Sequence, residues 1–280
     1  MNILSFIIYI PLQIVFIPFA IIGALLVAYK QIVVSKRLGS SQTAIEVING
    51  RWTMHIFGLR TDYATAKIAE IITARTAYFD RIIERASNEC EQMVVLGAGY
   101  DMRAYGPLKN KDITFFELDQ LDTQTVKKNW LSKAAINSDH VHFVPVDFNK
   151  DNVFSVLKQH GYHSNKKTLF LWEGVTLYLQ ESAISAMLSG IRQHAATGSV
   201  IAADFYAERF ARIAIGKSSK AILDYTQEGL QFSLPFQKNY KQVLQQFITS
   251  EDLSLGEQYF IGSNDKNGPF MVVSEIKVGR

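Results

Sequence analysis

The sequence predicts an α/β fold built on a doubly wound, mostly parallel sheet. Three observations lead there. Short apolar runs alternate with helical stretches between residues 93 and 204. Those runs end on glycine or on an acidic residue, as strands do where a sheet offers its carboxyl edge to a ligand. The chain has 280 residues, 48% of them hydrophobic and 20% charged, which excludes disorder and allows a full core.

The elements follow in order. Ser41 to Arg60 reads as a helical lead-in that breaks near Gly58. Asp62 to Arg85 is predicted as a long helix, because Ile68, Ile71, Ile72, Phe79, Ile82 and Ile83 recur at helical spacing. Met93–Leu96 is the first predicted strand, ended by Gly97-Ala98-Gly99. Ile113–Phe116 is the second, ended by Glu117-Leu118-Asp119, and His142–Val146 the third, ended by Asp147. Leu169–Trp172 is the fourth, ended by Glu173-Gly174, and Ser199–Ala203 the fifth, ended by Asp204. Thr123–Ala135 and Glu181–His194 are helices between them. Glu257–Ile261 and Phe270–Val278 flank a turn and read as antiparallel C-terminal edge strands. Phe205 to Lys241, rich in apolar and aromatic side chains, reads as a helical lid.

The first 29 residues carry no charge. As helix they would span about 40 Å at ~1.5 Å per residue, against a hydrocarbon core of ~30 Å. Lys30, Lys36 and Arg37 follow directly, which favours leaving the rest of the chain on the cytoplasmic side. The sequence therefore predicts an N-terminal transmembrane segment. A cleaved signal peptide expects basic residues before the apolar run, and none are there. A buried helix of the following domain is the other reading. Pro11 and Pro18 would kink a spanning helix, so a re-entrant or tilted segment stays open.

The net charge is +3, and most of it sits beside the apolar segment. The rest is near neutrality, which argues against a nucleic-acid partner. The single cysteine, Cys90, excludes an intrachain disulfide and a cysteine-based zinc site.

Gly97 and Gly99 let backbone approach a ligand after the first strand. Asp119, 22 positions past Gly97, stands where a carboxylate accepts both hydroxyls of a ribose. The pairing points to an adenosine-like ligand. A dinucleotide fingerprint wants a third glycine where Met102 stands, and no phosphate-binding loop is present. S-adenosylmethionine has no phosphate and needs a polar grip on its amino-acid end instead.

Five segments in order resemble the leucine carboxyl methyltransferase-like family. Arg75-Thr76-Ala77-Tyr78-Phe79-Asp80 is similar to its Arg-Thr-x-x-Phe-Asp segment. Leu96-Gly97-Ala98-Gly99-Tyr100-Asp101-Met102-Arg103 resembles its glycine-rich signature. Glu117-Leu118-Asp119, Val146-Asp147-Phe148 and Glu173-Gly174-Val175-Thr176-Leu177-Tyr178-Leu179 resemble the elements after the next three strands. The resemblance covers residues 60 to 205 and is weaker beyond, where 240–247 still fits. It implies a Rossmann-like methyltransferase domain over residues 35–280; the membrane anchor expected over 1–34 from the uncharged N-terminal run departs from the family, whose usual members are soluble.

The resemblance also implies roles. Arg75 would pair with the carboxylate of S-adenosylmethionine, while Gly97 and Gly99 would contact its amino-acid end. Asp119 would hold the ribose and Asp147 the adenine amino group. Glu173 would face the cofactor's amino group or the substrate channel. Asp101 and Arg103 read either as an ion pair shaping the loop or as cofactor contacts. A carboxylate acceptor would need no general base, and no side chain stands out as one. The resemblance favours an O-methyltransferase with a carboxylate or other oxygen acceptor, and the apolar lid together with the membrane segment points to a small, lipophilic acceptor at the membrane. A membrane-anchored nucleotide-binding protein without catalysis and a dinucleotide-dependent oxidoreductase remain the alternatives.

Overall fold

The computed structural model describes residues 71–210, 230–263 and 266–279. The predicted transmembrane segment, the helical lead-in and residues 62–70 of the long helix lie outside them. Among the described residues no helix is long and apolar enough to cross a membrane.

A seven-stranded sheet organises the chain. In chain order the elements are α1 (Ile71–Ala86), β1 (Gln92–Leu96), β2 (Thr114–Asp119), α2 (Leu121–Lys133), β3 (Val141–Pro145), α3 (Val153–Gln159) and β4 (Thr168–Trp172). They continue with α4 (Glu181–His194), β5 (Val200–Tyr206), α5 (Tyr240–Ser250), β6 (Ser254–Ile261) and β7 (Met271–Lys277). The strand order is β3-β2-β1-β4-β5-β7-β6. β1 to β5 are parallel, and β7 runs antiparallel between β5 and β6.

Apart from the edge strand β3, where His142 and Pro145 are exposed, the parallel strands are buried on both faces, which is why they read as apolar runs. Val94, Leu96, Phe116, Phe170 and Trp172 point to one face, where α3, α4 and α5 supply Leu157, Leu188 and Leu244. Met93, Val95, Phe115, Leu169 and Leu171 point to the other, against Phe79, Ile82 and Ile83 of α1. The order reverses between β1 and β4, so the crevice for a ligand opens at the carboxyl ends of those two strands.

Several elements differ from expectation. β2 runs through Glu117 and Leu118 to Asp119, because Glu117 is buried and paired with Lys127 of α2 at 2.7 Å. β5 continues through Asp204 to Tyr206, so Asp204 stands inside the strand. Its ladder to β7 continues over the same residues. α3 was not anticipated; Asn152 caps it by accepting the Ser155 N–H. The lid prediction is corrected at its described ends. Phe205, Phe232, Leu234 and Phe236 are buried in the core, with Phe205 edge-on to Phe232. Residues 211–229 lie outside the described residues.

Candidate functional site

Six charged side chains from α1, the segment after β1, the end of β4 and β5 converge on the crevice. Arg75, in the second turn of α1, is 5% exposed. Its Nη1 donates to the Tyr206 hydroxyl at 2.6 Å, and its Nε lies 3.3 Å from Glu173 Oε1. Asp204 Oδ2 is further off, 3.7 Å from Nη1. Arg103 sits between Asp101 and Glu173, with Nη1 at 2.5 Å and 2.7 Å from their carboxylates. Its Nη2 reaches Asp80 on α1 at 2.9 Å. Four carboxylates therefore surround two guanidinium groups.

The protonation of these groups follows from burial and neighbours. Burial works against charge on Arg75, yet Tyr206, Glu173 and Asp204 hold it above the ordinary arginine value. Arg103 is likewise raised, against its burial, by Asp101, Glu173 and Asp80. Burial pushes Asp204 up to about 7, with Arg75 opposing the rise and Glu173 adding to it. Tyr206 is also raised by burial, so its hydroxyl keeps its proton.

A second constellation joins the ends of β1 and β2. Asp119, the last residue of β2, accepts the Gly99 N–H at 2.6 Å and the Gln120 N–H at 2.7 Å, one on each carboxylate oxygen. The Thr123 side chain is a further partner of this carboxylate, and the acceptor capacity that remains suits a ligand hydroxyl. Burial pushes its pKa up while those two N–H groups oppose the rise. The loop between them rests on Lys127, whose Nζ donates to the Asp101 carbonyl at 2.6 Å.

The glycines have reasons in space. Gly97 adopts φ +69°, and a Cβ there would fall 2.4 Å from Val175 Cγ2. The two loops that follow β1 and β4 thus pack backbone to side chain. Gly174 adopts φ +73°, and a Cβ there would meet Arg75 Nη1 at 3.1 Å.

Of the residues expected from sequence, Arg75 and Glu173 come together, as do Gly99 and Asp119. Asp147 keeps local company instead. It accepts from Lys150 Nζ at 2.7 Å and from the Asn149 N–H at 3.0 Å, which hold it below the usual carboxylate range. It still begins beside Asp119, whose carbonyl accepts the intervening Val146 N–H at 2.9 Å. Asp101 and Arg103 do form the ion pair. Asp204 and Tyr206 were missed as site residues; the signal was the unbroken run Ile201-Ala202-Ala203-Asp204-Phe205-Tyr206, which extends the strand past the acid.

The donor set fits the amino-acid end of S-adenosylmethionine. Arg75 Nη2 is buried and has no hydrogen-bond partner among the described residues. A buried guanidinium nitrogen in that position suits a carboxylate.

The chain is similar to the Bacillus subtilis protein YktD, named as a candidate S-adenosyl-L-methionine-dependent methyltransferase, at 33% identity over 153 residues. That match covers 52% of this chain and 49% of YktD. A Mycobacteroides abscessus protein with the same kind of name is 31% identical over 163 residues, covering 55% of this chain and 54% of that one. The chain thus spans about half the length of the curated relatives it matches. Among solved structures, magnesium protoporphyrin IX methyltransferase from Synechocystis is 11% identical with a TM-score of 0.48, covering 82% of this chain and 93% of that one. The family model for leucine carboxyl methyltransferase matches residues 37–192, and the chain belongs to that family.

Proposed function

We propose that this chain is an S-adenosylmethionine-dependent methyltransferase that methylates a carboxylate, or another oxygen, of a small lipophilic acceptor at a membrane. The observation that carries the cofactor part is the pairing of two grips at one crevice. Asp119 is anchored by the Gly99 N–H with lone pairs to spare, and Arg75 holds a buried, unpaired Nη2.

The bound cofactor supplies a methyl group made electrophilic by its sulfonium. The chain's residues bind and orient. Asp119 would accept the ribose hydroxyls, and the Gly97–Gly99 backbone would pass close to the amino-acid end. Arg75 would take the carboxylate, and Glu173, held by Arg103, would face the amino group. Asp147 would reach the adenine amino group once it gives up Lys150, an exposed partner of little energetic weight. Holding the cofactor in one orientation converts a bimolecular encounter into an aligned transfer. A carboxylate acceptor is already ionised, which agrees with the absence of an evident base among the described residues.

Residues 3–29 support the membrane part of the proposal, as an uncharged stretch followed by Lys30, Lys36 and Arg37. In this reading the segment anchors the chain and the catalytic domain faces the cytoplasm. The test is mass spectrometry of membrane extracts incubated with full-length protein and methyl-labelled S-adenosylmethionine. A labelled ester or ether in the lipid fraction is expected. Label appearing solely in amines or thiols would overturn the oxygen acceptor.

A further inference from the structure

The Arg75 guanidinium is held on three sides. Nη1 donates to the Tyr206 hydroxyl, Nε faces Glu173, and the planar group lies against the Gly174 backbone. The Tyr206 hydroxyl is itself fixed, because it donates to Asp204 Oδ2 at 3.0 Å. Asp204 is fixed in turn. Its two oxygens accept the Gly174 N–H at 3.0 Å and 2.9 Å, and its carbonyl accepts the Thr176 hydroxyl at 2.6 Å. Asp204 is 0% exposed and Tyr206 3%.

The order of the contacts matters. Tyr206 lies 2.6 Å from Nη1, while Asp204 lies 3.7 Å away. A neutral hydroxyl is thus interposed between the guanidinium and a carboxylate. The hydroxyl fixes Nη1 without placing a further anion on it, and Nη2 keeps no hydrogen-bond partner among the described residues. An arginine whose rotamers are already fixed also gives up less freedom when it binds.

We propose that Asp204 and Tyr206 are positioning residues that hold Arg75 so that its Nη2 meets the cofactor's carboxylate. The inference rests on the cofactor reading above. Both residues act through Arg75 and need not touch the cofactor.

The test uses calorimetric titration of the full-length chain with two probes. One is S-adenosylmethionine; the other is 5′-methylthioadenosine, which lacks the amino-acid end. Tyr206→Phe should weaken S-adenosylmethionine binding by roughly tenfold, since the lost bond is to a charged group. Its affinity for 5′-methylthioadenosine should stay within about twofold. In an Arg75→Ala background, Tyr206→Phe should cause no further loss, because the two side chains act as one unit. If Arg75→Ala fails to fold, the comparison of the two probes in Tyr206→Phe decides alone. Equal losses for both probes, or no loss for either, would overturn the positioning role. A wild-type chain that binds neither probe would instead overturn the cofactor reading itself.

Discussion

The carboxylate of Asp119 accepts the backbone N–H of Gly99 at 2.6 Å, so the end of β2 holds the loop that follows β1. One side chain therefore serves two ends: it shapes the glycine loop and it offers lone pairs to a ribose. Asp119→Ala should weaken S-adenosylmethionine binding by roughly tenfold or more, because a lost buried acceptor costs about 1–3 kcal/mol. Asp119→Asn keeps an acceptor for the Gly99 N–H and should lose less. Calorimetry on both variants is the check. Unchanged affinity in a folded Asp119→Ala variant would remove Asp119 from the site.

Gly97 combines a left-handed backbone with a close neighbour. Gly97→Ala meets strain at φ +69° and a collision with Val175, a β-branched side chain with little rotamer freedom. The two effects should destabilise the fold by about 2–4 kcal/mol in total. Adding Val175→Ala should restore the collision part and leave the backbone part. Urea unfolding of the single and double variants measures the split. A double variant no more stable than Gly97→Ala would show that Val175 is not the obstacle.

Asp204 gives a pH dependence with a definite sign. Its folded value of about 7 lies above that of an unfolded aspartate, ~3.9. The folded chain keeps a proton that the unfolded chain has already released. The stability this contributes is fully present below the unfolded value and is lost as pH rises through about 7. Glu117 and Asp119 are raised by burial as well and act in the same sense, but they are common to wild type and variant. The difference in stability between wild type and Asp204→Asn should therefore change between about pH 4 and 8. The measurement is the urea midpoint of both proteins across that range. Parallel curves would mean that Asp204 does not titrate there.

Much of this arrangement was legible because it is repeated along the chain. Four buried parallel strands and the edge strand β3 gave five apolar runs, and glycine or acid at or just past the ends of β1 to β4 marked the carboxyl edge. Arg75, Gly99, Asp119 and Glu173 could be named from those positions. What sequence did not disclose depends on partners far along the chain. Glu117 read as a strand end because a buried carboxylate is rare without a cation, and its cation, Lys127, comes from the next helix. Asp204 read the same way, although its partners Arg75, Gly174 and Tyr206 let β5 carry the charge inside. Asp147 illustrates the converse. Its position after β3 marked it as a site residue, yet Lys150, three residues on, now occupies its carboxylate.

The apolar N-terminus sets the last expectation. Residues 3–29 are proposed to anchor the chain, on the strength of their uncharged length and the basic residues Lys30, Lys36 and Arg37 beyond them. Those three side chains would sit at the headgroup level, where anionic lipids attract each by about 1 kcal/mol. That attraction is weak beside the burial of some two dozen apolar residues, so the two contributions separate by treatment. High salt alone screens the basic residues and should leave the protein on the membrane. Alkaline carbonate removes peripheral proteins and should leave it there too. A variant lacking residues 3–29 should be released by salt or never bind. Recovery of the full-length protein in the carbonate supernatant would mean that the segment is no integral anchor. The apolar stretch would then read as a helix packed within the protein, and a lipophilic acceptor would lose its main support.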